Sequence, residues 1–313
     1  MLVAVFTLTV LALIVFVAVV TLRWSTELIK SPEPDQPSSP QDFGLPFTEV
    51  LFPSQDGLTL HGWFIPAQQV TSFSLEDDDW AAASKGTVIF GHGRFGSKDP
   101  DLKYAPWFRE AGYNSFLFDF RGHGRSEGNY TSFGFHERKD LLGAIDFLRG
   151  KGISSVGVMG FSLGAAVGIS TAAVCEDIQA VIADGTFVAL RGALARGARE
   201  RGVPSWVVRW LGAFILWLAG RRVGGDLEES EPIRWVSEIA PRALFLIHGE
   251  RDRYVSTDDV RLLYDRAGEP KELWIVPDAE HRRSDELYPE EYRQRVLGFF
   301  DRYLTPASGE NRS

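Results

Sequence analysis

The stretch Val156 to Val167, VGVMGFSLGAAV, runs from an apolar strand through Gly160-Phe161-Ser162-Leu163-Gly164 into a series of small residues. A serine held on so sharp a strand-to-helix turn has strained backbone angles, and the positions two residues either side of it must lack bulk. Gly160 and Gly164 meet that need. Ala165, Ala166 and Gly168 then let a helix pack closely beneath the turn, with its N-terminal amides and dipole directed at the serine oxygen. The stretch reads as a nucleophile elbow, with Ser162 as candidate nucleophile. Alone, G-x-S-x-G is a weak motif, and the rest of the chain has to supply its context.

That context is an alternation of β-rich runs with helical stretches from Phe47 onward, the pattern of a mostly parallel sheet covered on both faces. Eight strands are expected: Glu49 to Pro53 and Leu58 to Ile65 as an antiparallel hairpin across Gln55-Asp56-Gly57, then Thr87 to Phe90, Ser115 to Phe118, Val156 to Met159, Ala180 to Ala183, Leu244 to Ile247 and Leu273 to Val276. Helices are expected at Pro100 to Ala111, Phe133 to Arg149, Leu163 to Val174, Thr257 to Ala267 and Pro289 to Leu304. Gln68 to Lys85, with its acidic run 76–79, reads as a solvated loop. Residues 186–240 are too long for a simple connection and read as a cap insertion. Within it, Arg191 through Arg222 holds seven arginines against one acidic residue, Glu200, in a chain of net charge −9.

The N-terminal end carries a different signal. Leu2 to Leu22 is apolar apart from three threonines, and it matches the ~20 residues that cross a hydrocarbon core as a helix. No Lys or Arg precedes it and no small-x-small site follows, which favours an anchor over a cleaved signal peptide. Arg23 and Lys30 just after the span place the large domain on the cytoplasmic side by the positive-inside tendency. The organisation expected is a single-pass anchor at 1–24, a Pro- and Ser-rich linker at 25–43, one domain at 44–305 and an unstructured tail at 306–313.

Composition excludes several classes. At 313 residues with 44% hydrophobic and 24% charged residues the chain has an ordinary globular balance, and its acidity argues against nucleic acid as partner. Cys175 is the one cysteine, so neither an intrachain disulfide nor a Cys-rich metal site can be built.

A serine is a poor nucleophile without a histidine base and an acid that fixes the histidine's tautomer. Asp252 follows the strand ending in Ile247-His248-Gly249, and His281 follows the last strand through Pro277-Asp278-Ala279-Glu280. Both lie at C-terminal strand ends, as Ser162 does, where open α/β sheets place their sites. Two backbone donors are also needed for an oxyanion. Leu163, just after the nucleophile, supplies one, and Arg94, beyond the third strand in Gly91-His92-Gly93-Arg94, supplies the other through its amide.

These motifs together resemble the α/β-hydrolase superfamily, in particular its serine aminopeptidase S33-like branch and the related Bem46-type membrane-anchored hydrolases. The resemblance spans about Phe47 to Leu304. It rests on His92-Gly93, on Asp119-Phe120-Arg121-Gly122-His123-Gly124-Arg125-Ser126, on the elbow, on His248-Gly249 with Asp252, and on His281. It implies an α/β-hydrolase fold and hydrolysis of an ester, thioester or amide through an acyl-enzyme, with no metal or organic cofactor. The segment Arg282-Arg283-Ser284-Asp285-Glu286 departs from the pattern by its charge and is expected to form a salt-bridge network at the site mouth.

Competing assignments exist for each residue. Glu250, Asp258 and Asp259 rival Asp252 as the acid, and five other histidines rival His281; the resemblance gives His92, His123 and His248 structural roles. Gly91-x-Gly93-x-x-Gly96 is formally a dinucleotide fingerprint but lacks an acidic residue ~20 positions on at a strand end. Trp206, Trp210, Phe214 and Trp217 recur every three or four residues, a stripe that on most helices packs on the core. On a helix this apolar, near a bilayer, they instead suit an acyl-binding pocket or contact with anionic lipid. The expected substrate is a small-molecule or lipid acyl compound, carboxylic ester or thioester. A peptidase acting on short peptides, and a non-catalytic membrane-tethered scaffold of the same fold, are the alternatives.

Overall fold

A computed structural model describes residues 1–32, 37–69, 80, 84–94, 96–200 and 202–304. Its eight strands are β1 (Thr48–Pro53), β2 (Thr59–Ile65), β3 (Thr87–Gly91), β4 (Asn114–Phe118), β5 (Val156–Phe161), β6 (Ile178–Asp184), β7 (Ala243–Gly249) and β8 (Lys271–Val276). They form one sheet in the order β1-β2-β4-β3-β5-β6-β7-β8. β2 is antiparallel to β1 and β4, and the other pairings are parallel. β3, β4, β5 and β7 are buried along their whole length, the behaviour of parallel strands with both faces covered.

The helices in chain order are α1 (Leu2–Ile29), α2 (Ala105–Ala111), α3 (Glu137–Gly150), α4 (Leu163–Ala172), α5 (Leu190–Glu200), α6 (Ser205–Val223), α7 (Pro232–Trp235), α8 (Thr257–Arg266), α9 (Ser284–Leu287) and α10 (Pro289–Tyr303). One core joins Phe52, Phe64, Phe116 and Phe118 of the sheet to α3, α4 and α8 through Leu141, Ile145, Val167 and Leu263. The other joins Phe90, Met159 and Phe245 to α2 and α10 through Phe108, Phe299 and Phe300. The cap, α5 to α7, is inserted between β6 and β7.

Several expected boundaries move for local reasons. The helix expected from Pro100 is a 3-10 turn over Asp99–Tyr104, and α2 starts after it with Pro106 in its first turn, where the missing N–H costs nothing. The helix expected from Phe133 begins at Glu137, because Phe133 and Gly134 have positive φ and form a turn. The buried Glu137 carboxylate collects the donors of that turn, accepting from the Ser132 and Gly134 amides and from the Thr131 and Ser132 hydroxyls.

The expected linker also starts later than residue 25. α1 continues through Ile29, and its last turns belong to the domain, with Thr21, Ser25 and Ile29 buried. Most of the expected acidic loop, 70–79 and 81–83, lies outside the described residues, as does the expected tail at 306–313. Trp80, inside that loop segment, is buried with its ring 4.4 Å from that of Phe64.

Candidate active site

β5 delivers Ser162 at φ 51° and ψ −104°, a left-handed-side conformation that a non-glycine residue adopts only where its surroundings enforce it. The enforcement is visible on both sides. The Ser162 amide donates to the Asp184 carbonyl at 2.8 Å, and the Gly164 amide donates to the His92 carbonyl at 3.1 Å. A Cβ on Gly160 would stand 2.6 Å from the Ala165 Cα, and one on Gly164 would collide with the Gly91 carbonyl. The elbow is therefore wedged between β6 and the loop that leaves β3.

Three side chains from separate strand ends meet at this turn. His281 Nε2 lies 3.2 Å from Ser162 Oγ, and His281 Nδ1 lies 2.6 Å from Asp252 Oδ2. A carboxylate only accepts, so the imidazole proton sits on Nδ1 and leaves Nε2 to accept from the serine hydroxyl. Asp252 Oδ1 is fixed by the amides of Tyr254 at 2.7 Å and Val255 at 3.1 Å. Burial opposes ionisation of Asp252, but the His281 hydrogen bond and the nearby imidazoles outweigh it and hold the carboxyl below its usual range. The Tyr254 ring stands edge-on to His281 at 5.0 Å. His281 itself is 21% exposed, so the base faces an accessible site.

The proposed oxyanion donors flank the serine along the chain. Leu163 is the first residue of α4, where a backbone N–H has no carbonyl one turn back within its own helix. Arg94 follows Gly93, whose Cβ would lie 3.7 Å from that of Ser162. The buried His92 pins this loop: its Nδ1 faces the Gly93 carbonyl at 2.7 Å and its Nε2 accepts from the Phe120 amide at 2.9 Å. Burial pushes the His92 imidazole down to about 3, so it stays neutral.

The competing acids and histidines are engaged elsewhere. Asp259 accepts from the Ser256 hydroxyl at 2.6 Å and caps α8, where Asp258 also lies, and Glu250 accepts from the Asp278 amide at 3.2 Å. His123 faces the carbonyls of Arg121 and Arg94, His136 faces that of Val223, and His61 lies 3.0 Å from Glu49. His248 Nε2 faces the Val255 carbonyl at 3.2 Å, and its Nδ1 stands 3.9 Å from Asp252 Oδ2. The segment 119–126 is scaffold: Asp119 is buried, accepting from the Lys98 ammonium at 2.7 Å and the Arg125 amide at 3.0 Å. Gly91 and Gly93 lead into the 3-10 turn at Asp99 rather than into an α-helix.

The aromatic stripe does not pack on the core. α6 buries Leu216, Ala219 and Val223 against the core, and that choice turns Trp206, Trp210, Phe214 and Trp217 outward. They are exposed, and Trp217 also lines an open cavity of about 640 Å³ with Arg191, Leu216 and Arg221. The charged run after His281 also differs from expectation. Arg282 turns inward, pairs with the buried Asp101 and lies 4.4 Å over the Phe161 ring. Asp285 accepts from the Tyr104 hydroxyl at 3.0 Å and pairs with Lys103, while the Arg283 pair with Glu286 stays at the surface.

Sequence reasoning missed the Arg94 side chain. Its guanidinium reaches the carbonyls of Glu27 and Leu28 at the end of α1, 67 and 66 positions away, and no sequence pattern signals that contact.

Residues 82–240 match the family described as serine aminopeptidase, S33. The uncharacterized protein YqkD of Bacillus subtilis is 33% identical over 222 residues, 69% of this chain and 71% of that one. The uncharacterized protein YfhR of Escherichia coli K12 is 29% identical over 265 residues, 82% of this chain and 81% of that one. Among solved structures, the Pyrococcus furiosus esterase Pf2001 superposes with a TM-score of 0.68 at 29% identity, covering 87% of this chain and 99% of the esterase. The eight-stranded sheet, the strand-end placement of Ser162, Asp252 and His281 and these likenesses agree, and the chain belongs to the serine aminopeptidase S33 family of α/β-hydrolase-fold enzymes.

Proposed function

We propose that this hydrolase is a membrane-anchored serine esterase or thioesterase that works through an acyl-enzyme on Ser162, with lipid and acyl-lipid substrates in its range. The observation that carries the reading is the hydrogen-bonded series Asp252–His281–Ser162, ending on a serine with positive φ. His281 Nε2 takes the hydroxyl proton as Ser162 Oγ attacks the acyl carbon. Asp252 holds the tautomer and stabilises the imidazolium that forms. The amides of Arg94 and Leu163 receive the oxyanion. The imidazolium then protonates the leaving alcohol or thiol, and water, deprotonated by His281, releases the acid. The P. furiosus neighbour, an esterase, supports ester over amide cleavage.

The anchor reading draws on α1 itself. Its final turns are packed into the domain, with Ile29 accepting from the Thr131 amide at 2.9 Å, an arrangement that suits a retained helix better than a cleaved one. Arg23 and Lys30 favour the cytoplasmic side for the domain. The test is turnover of p-nitrophenyl butyrate and of short aminoacyl anilides by wild type and Ser162→Ala. Ester turnover lost in the folded variant is expected; equal rates in both proteins, or turnover of anilides alone, would contradict the reading.

A further inference from the structure

α1 is not a tether joined to the domain by a loose hinge. Its N-terminal part is apolar and exposed, with a mean hydropathy of 3.0 over 18 residues and none of that window buried. Its C-terminal part is held at four points. Thr21, Ser25 and Ile29 are buried, Arg94 bonds the last carbonyls, Lys30 bridges to Tyr130, and Arg222 of α6 bonds the hydroxyls of Ser25 and Thr26. The direction in which α1 leaves the domain is thereby fixed. Any element packed along it stands at a fixed place relative to whatever surrounds α1.

α6 is that element, since it packs directly against α1. Between Ser205 and Val223 it holds three arginines and no acidic residue. Its outward aromatic residues are among the most exposed large side chains of the domain: Trp206 at 66%, Trp210 at 70%, Phe214 at 47% and Trp217 at 57%. Phe214 and Trp217 stack on each other at 5.5 Å. An apolar patch of this kind on a helix that is nearly apolar all round is costly in water. Two features say what covers it. The patch belongs to a helix that packs directly against α1 and is bonded to it through Arg222. Its composition, tryptophans with arginines and no carboxylate, is that of helices seated at the boundary between acyl chains and anionic headgroups.

We propose that α6 is a second membrane-embedded element, seated in the bilayer interface beside α1, so that the cap and the anchor form one lipid-contacting surface. The inference rests on reading α1 as an anchor and deepens the proposed function, because it brings the cap of the hydrolase to the phase that holds lipid esters.

The test uses the full chain in nanodiscs of phosphatidylcholine and phosphatidylglycerol at three to one. An environment-sensitive thiol dye is placed on Trp210→Cys, Trp217→Cys, Phe16→Cys in α1, and Leu262→Cys on the exposed face of α8. Wild type, whose one cysteine is buried, sets the background. The expected result is quenching by spin-labelled lipid at 16, 210 and 217 at least threefold stronger than at 262. Quenching at 16 alone, with 210 and 217 matching 262, would overturn the proposal. So would absence of quenching at 16, or positions 210 and 217 shielded from a water-soluble thiol reagent without lipid quenching, which would mean a protein partner or a second copy. None of these readouts depends on turnover, so a failed membrane assignment and a failed Ser162 chemistry remain distinguishable.

Discussion

The guanidinium of Arg94 donates to the carbonyl of Leu28 at 2.5 Å and to that of Glu27 at 3.2 Å. These are terminal carbonyls of α1, groups that lack partners within their own helix and that favour a cation. Burial lowers the Arg94 guanidinium to about 10, which leaves it charged at neutral pH, and it lies 4.9 Å over the Phe133 ring. The backbone of the same residue belongs to the loop packed against Ser162. One residue thus joins the end of α1 to the loop assigned to the oxyanion.

Arg94→Ala keeps the backbone amide and removes the clamp. The expected outcome is a fall of roughly tenfold in the rate of ester hydrolysis with the fold retained, since small displacements of positioning groups cost this much or more. Arg94→Lys, which still donates to a carbonyl, is expected to recover part of the loss. Rates equal to wild type in Arg94→Ala would show that the clamp has no influence on the loop.

Asp252→Asn should leave a folded protein that has lost the tautomer control described above. The fall in kcat is expected to be on the order of 10³ to 10⁴. Steady-state kinetics on p-nitrophenyl butyrate, with circular dichroism as the control for folding, checks it. The rivals provide the contrast: Asp258→Asn, in the first turn of α8 and outside the hydrogen-bonded series, is expected to change kcat by less than about twofold.

The site was legible in the sequence to the extent that its cause is local. The strand, the turn and the small residues around Ser162 lie within twelve consecutive positions, and Asp252 and His281 each follow a strand that alternation of elements already reveals. The illegible parts depend on distant partners. Arg94 meets Leu28 across 66 positions, and Arg282 meets Asp101 across 181. α6 offers two stripes of similar period, Leu216/Ala219/Val223 and Trp206/Trp210/Phe214/Trp217, and periodicity does not say which one faces the core. The start of α3 was misread because the Phe133-Gly134 turn is held by Glu137, a carboxylate whose burial no pattern announces.

Gly164→Ala should be severely destabilising. Its Cβ would meet the Gly91 carbonyl and stand 2.8 Å from the His92 oxygen, both backbone atoms that cannot swing aside. A loss of several kcal/mol, on the order of a core overpacking defect or more, is expected from urea melts. Gly298→Ala in α10 has nothing within 4 Å of the added methyl and is expected to gain about 0.5–1 kcal/mol.

Asp184 supplies a pH-dependent prediction. Burial raises its carboxyl to about 6, against the Tyr292 hydroxyl, which donates to it at 2.6 Å. A raised acid holds its proton in the folded state while the unfolded chain has already lost it, so its contribution to stability is present at low pH and disappears as pH rises through about 6. Asp184→Asn does not titrate. Its stability relative to wild type should therefore improve by about 1.4 kcal/mol between pH 5 and pH 7.5. Urea melts of both proteins at the two pH values check the sign; a difference that shrinks or stays constant would contradict the assignment.

The most direct measurement is covalent labelling of wild type, Ser162→Ala and His281→Ala with a fluorophosphonate, followed by mass mapping of the modified peptide. A phosphonyl adduct on Ser162 in wild type, its absence from folded Ser162→Ala, and a labelling rate at least a hundredfold lower in His281→Ala are the expected results. Folded wild type that takes no label, or an adduct on a serine other than Ser162, would contradict the assignment of Ser162 as the nucleophile.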